Sequence, residues 1–94
     1  MVYKGEDFQR IRLNAGLSIG KMADLLGVNQ KSIYNWENNI SSPPNLHLNV
    51  YQNLDKKIKI YKSEGNKEPI NETLKQLLVA GGITAILWWL FKDK

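Results

Sequence analysis

Apolar residues along the first two thirds of the chain recur at helical intervals, broken by glycines and by polar residues suited to capping. Phe8 and Ile11, with Arg12 beside them, mark one side of a first helix over about Glu6–Ala15, and Gly16 fits the position just past its end. Ser18 is placed to cap a second helix in which Ile19, Met22, Ala23 and Leu26 fall at helical spacing; Gly27 breaks it and Val28 packs across the break. Asn29 caps a third helix running to about Asn38, with Ile33 and Trp36 facing inward and Gln30, Lys31, Tyr34 and Asn35 facing out. Ser41-Ser42-Pro43-Pro44 reads as a turn, and proline at a first helical position favours a fourth helix from near Asn45. Leu46, Val50, Leu54 and Ile58 then recur every four residues. The same stretch also alternates, at 46–51 and again at 57–61, so a β-hairpin is the competing reading of residues 46–61.

The pattern changes after residue 62. Residues 63–68 are polar and aperiodic and read as a linker between a domain at 1–62 and a tail at 69–94. From Leu77 to Phe91 there are fifteen residues with no charge and only Thr84 polar, which predicts one hydrophobic helix over about 69–92. A helix apolar on all sides belongs in a large core or a membrane. Lys75 precedes the run, Lys92 and Lys94 follow it, Trp88 and Trp89 sit near one end, and Gly81 and Ala85 make a small-residue pair of the kind that packs membrane helices. Membrane association through residues 74–91 is therefore one expectation, although fifteen residues rise only about 22 Å and spanning takes about 20 residues. The alternatives are a soluble oligomerisation helix, or an interfacial or partner-binding one.

Charge and composition narrow the function classes. Residues 1–62 hold nine Lys and Arg against five Asp and Glu, whereas residues 63–94 balance, so the whole net charge of +4 lies on the front part. That suits a polyanion such as DNA, and ordinary solubility accounts for it equally well. With no cysteine there is no disulfide, thiolate metal site or thiol nucleophile, and the N-terminus carries no apolar signal region. His47 is the single histidine, without a second metal ligand or a carboxylate pair near it, and no glycine-rich phosphate loop occurs. No enzyme, catalytic residue, metal or cofactor is expected.

Read together, Phe8-x-x-Ile11-Arg12, Gly16-Leu17-Ser18, Met22-Ala23-x-Leu25-Leu26-Gly27-Val28, Ser32-Ile33-x-Asn35-Trp36-Glu37-Asn38 and Pro43 resemble the lambda-repressor-like (Cro/CI, XRE-type) helix-turn-helix DNA-binding family. The resemblance covers about forty residues strongly and thins out towards Leu54. It implies an all-α fold: a compact four- to five-helix helix-turn-helix domain, here followed by the hydrophobic C-terminal helix. It also implies that Gln30, Lys31 and Asn35, with Tyr34, read bases, that Asn29, Ser32, Asn38 and Lys21 meet phosphates, and that Arg12 and Glu37 form a structural ion pair. The bland alternative is that the outward residues of the third helix are only a solvated face. One position departs from the family: the glutamine that usually follows Leu-Ser, touching a phosphate and bracing the recognition helix, is Ile19 here. The expected protein is a sequence-specific transcriptional repressor that binds double-stranded DNA as a homodimer or higher oligomer. Its DNA-binding part lies in the cytoplasm, either free or anchored to the membrane by the tail. A membrane-anchored protein-interaction module on the same scaffold is the rival from another class.

Overall fold

Six helices form among the described residues of the computed structural model, which are 3–65 and 70–91. α1 (Gly5–Asn14) starts where the Lys4 N–H donates to the Asp7 carboxylate at 2.7 Å and ends ahead of Gly16, whose φ of 75° turns the chain. α2 (Ile19–Leu26) is capped by the Ser18 hydroxyl, which accepts the Lys21 N–H at 3.1 Å, and stops at Gly27. α3 (Gln30–Glu37) begins at Asn29, whose Oδ1 accepts the Ser32 N–H at 2.9 Å. α4 (Asn45–Ser63) follows the Pro43-Pro44 turn. Each cap satisfies a backbone donor that a helix end leaves open.

The hairpin alternative for residues 46–61 falls. Val50, Tyr51, Leu54 and Ile58 are all buried on one side of α4, whereas in a strand Tyr51 would face away from the other three. Leu46 does not join them: it lies in the first turn and is 49% exposed. His47, one residue on, does reach inward, with Nε2 3.1 Å from the Leu26 carbonyl and its ring 5.7 Å from that of Trp36.

The single C-terminal helix expected over about 69–92 is also corrected. Residues 71–91 form two helices, α5 (Asn71–Gly81) and α6 (Ile83–Phe91), which meet at Gly82 and pack on each other. Gly82 has φ 61° and ψ −130°, a backbone state closed to residues with a Cβ and incompatible with a continuing helix. With eleven and nine residues, α5 and α6 rise about 16 and 13 Å, against a bilayer core of about 30 Å. No helix among the described residues is long and apolar enough to cross a membrane, so the transmembrane expectation for residues 74–91 finds no support. The expected linker begins inside α4, whose last residue is Ser63; residues 66–68 of it, like Pro69, Lys92 and Lys94, lie outside the described residues.

The apolar run covers this chain's own domain instead. α5 and α6 both pack on α2, and α6 packs on α4. Ile70, Leu74, Ile86 and Leu90 become part of one cluster with Phe8, Ile11, Met22, Leu26, Ile33, Val50, Tyr51 and Leu54. Lys57 of α4 lies over the Trp89 ring of α6, 5.1 Å from its centroid.

One buried charge sits on α4. Asp55 is 3% exposed and accepts from the Tyr3 hydroxyl and from Arg10 NH1, both at 3.1 Å, with Lys59 Nζ 3.4 Å away. Burial pushes its carboxyl upward, but the hydrogen bonds from Arg10 and Tyr3 and the charges of Arg10 and Lys59 outweigh that and hold it below the usual range. A carboxyl lowered on folding stabilises the folded state above its unfolded value near 3.8, and the contribution drains away as pH falls through the folded value. Asp55→Asn is therefore expected to lose about 1–3 kcal/mol at neutral pH. Thermal unfolding followed from pH 7 to pH 2 should show the gap to wild type narrowing below about pH 4; a gap that stays constant would show that the carboxylate charge contributes nothing.

Candidate nucleic-acid interface

The site is built on α3, which divides into two faces. Ile33 and Trp36 are buried, at 0% and 5% exposure. Gln30, Lys31 and Tyr34 are exposed, and Asn35 is half-buried. Spacings of three and four residues bring Gln30, Lys31, Tyr34 and Asn35 onto one outward face. Asn29 and Ser32 sit together at the start of the helix, where Ser32 also donates its hydroxyl proton to Asn29 Oδ1 at 3.0 Å. Lys21 lies exposed on α2. Asn38 is at the far end, about 12 Å along the axis from Gln30; its Nδ2 donates to the Tyr34 carbonyl at 2.8 Å.

The rear of α3 is fixed by charge. Arg12 of α1 donates from Nε to Glu37 Oε2 at 2.6 Å and from NH2 to Glu37 Oε1 at 3.1 Å, with both side chains buried. Its NH1 donates to the Leu17 carbonyl at 2.9 Å, in the turn between α1 and α2. One guanidinium thus ties together α1, that turn and the last residue of α3. Tyr51 lies close by, and its hydroxyl is buried without a hydrogen-bond partner. Burial pushes this phenol upward, the charge of Glu37 adds to the shift, and that of Arg12 opposes it.

Two glycines and one asparagine that the sequence pattern did not single out also place α3. A Cβ at Gly5 would overlap the backbone carbonyl of Glu37, so α1 and α3 touch main chain to main chain there. Asn39, at φ 60°, accepts the Gly5 N–H on its Oδ1 at 2.9 Å. At the front, the Gln30 carboxamide lies over Gly20 of α2, with Nε2 3.2 Å from where a Cβ would stand. Ile19, in place of the family glutamine, is half-buried and packs against the core. No group of three or more His, Asp or Glu residues placed to hold a metal ion forms among the described residues.

Two helices joined at a tight glycine turn, the second presenting a polar face on a rigidly backed rod, define a helix-turn-helix domain. Residues 8–48 match the family described as Helix-turn-helix. The match supports the resemblance of this segment to the lambda-repressor-like (Cro/CI, XRE-type) domains of DNA-binding transcription regulators. No curated protein and no solved structure matches the chain.

Glu37→Gln leaves the Arg12 guanidinium buried without its counter-charge, and should cost about 3–5 kcal/mol in chemical unfolding. Tyr51→Phe removes only the hydroxyl that has no partner. Its unfolding midpoint should stay level or rise; a fall of more than a few degrees would mean that the hydroxyl is satisfied in solution.

Proposed function

We propose that the protein is a sequence-specific transcriptional repressor that binds double-stranded DNA and reads bases with α3. The observation that carries this reading is the outward face of α3, four polar side chains on a helix whose other side is anchored in the core. An α-helix of this width enters the major groove, where each base pair offers a distinct pattern of donors and acceptors. Gln30 and Asn35 suit adenine, Lys31 suits guanine O6 and N7, and Tyr34 suits a thymine methyl or a phosphate. Asn29 donates to a phosphate through Nδ2, since its Oδ1 already accepts from Ser32. Ser32, Asn38 and Lys21 add phosphate contacts that set register without reading sequence.

A helix of eight residues covers one short half-site, and a repressor gains length and affinity by pairing two copies on a symmetric operator. Self-association through the tail is accordingly part of the proposal: Val79 and Trp88 remain 90% and 65% exposed on α5 and α6. The same exposed pair supports the second reading, a protein-interaction module on this scaffold.

The test is enrichment from a random duplex library. The wild type should select a motif. Lys31→Ala combined with Asn35→Ala should retain the circular-dichroism spectrum and melting midpoint but select none, each lost base contact costing about 1–3 kcal/mol of discrimination. If the wild type enriches nothing, the interaction-module reading takes over.

A further inference from the structure

We infer that Lys75, on α5 and outside the helix-turn-helix, is a phosphate contact that extends the DNA interface onto the C-terminal helices, acting beside Lys21 of α2. This rests on the DNA-binding reading above. α5 lies against α2, and a narrow slot between them is lined by Leu17, Lys21 and Leu25 from one side and Leu74, Lys75 and Leu78 from the other. The leucines fix α5 in place, with Leu17, Leu25 and Leu74 buried. Lys75 is thereby held next to Lys21 by packing, rather than carried on a loose tail.

The lining residues are four leucines and these two lysines, with no acidic residue among them. Two carboxylates lie nearby on the same helices. Glu72 pairs with Lys75 at 3.6 Å, but its side chain is 78% exposed, and such a surface pair is heavily screened. Asp24, one turn along α2 from Lys21, is exposed. The slot also flanks the entrance to the recognition helix: Lys21 adjoins Gly20, and the Gln30 carboxamide rests over Gly20. A backbone phosphate next to a base read from the first turn of α3 is the anion within reach of this flank, and it asks only for charge, which lysine supplies.

The full chain is titrated with a mixed-sequence duplex of about three helical turns across a series of salt concentrations, since each phosphate neutralised contributes about 0.9 to the slope of log K against log salt. Lys75→Gln is expected to reduce the slope by about one and to weaken binding several-fold at low salt. Lys75→Arg should restore both. Lys62→Gln, the same charge change at the end of α4, should leave the slope as it was. A Lys75→Gln slope equal to wild type, with DNA binding otherwise intact, would overturn the inference alone. A chain that binds no duplex at any salt concentration would remove the DNA reading, and this inference with it.

Discussion

The guanidinium of Arg12 holds α3 at its angle. At eight residues, α3 is well below the length at which a helix supports itself in water. Its front is capped by Asn29, its middle is packed through Ile33 and Trp36, and its last residue, Glu37, is gripped by both arms of a buried arginine. Three donors leave that guanidinium for two elements, so the direction of α3 relative to α1 and to the α1–α2 turn is set by hydrogen-bond geometry as well as by side-chain fit. A buried ion pair often adds little net stability over a well-packed apolar pair, because both charges must first be dehydrated. What it adds here is direction, and the base reading proposed for α3 would depend on direction.

The apolar hairpin at the C-terminus solves a different problem. A helix-turn-helix of some sixty residues buries only about 60% of the surface its unfolded chain exposes, which leaves little margin. Leu17 and Leu25 point out of the α1–α3 layer, and α5 closes over them. Ile86 and Leu90 seal the side where α6 meets α4 and α2. The cover is one-sided: α6 has nine residues with Thr84 as its only polar one, so its outer surface stays apolar where Trp88 stands. The hairpin is both part of the core and a remaining apolar surface.

Most of the first forty-five residues could be read from the sequence, because local signals and tertiary fit agree there. Ser18, Gly27 and Asn29 each have one physical use at their positions, and each is put to it. The tail misled because a run of apolar residues carries no information about what will cover it. A helix wholly surrounded by neighbours and a helix in lipid have the same composition. The correcting signal was Gly81-Gly82, where a positive φ breaks the run into two pieces short enough to fold back. Asp55 was missed for the opposite reason: it sits on the inward stripe with Tyr51, Leu54 and Ile58, and an acid on such a stripe announces a cation nearby. Its partners, Tyr3 and Arg10, lie 52 and 45 residues earlier, and no local pattern identifies them.

Ile19 stands where the family that this segment resembles usually has glutamine. A glutamine there would be polar and would lean on the first residue of the recognition helix. Ile19 instead turns its side chain against the core, which removes that brace and gains apolar burial. The bracing passes to the next residue by a different means. Gly20 has no Cβ, and the Gln30 carboxamide occupies the space this leaves, with Ser18 Oγ at the edge of the same hollow. Gln30 is thus held by shape where the family uses a hydrogen-bonding partner. Shape restricts where the carboxamide lies, with Nε2 its atom nearest Gly20. In the DNA-binding reading proposed above, the polar contact that Ile19 lacks falls to Lys21, on the same turn of α2.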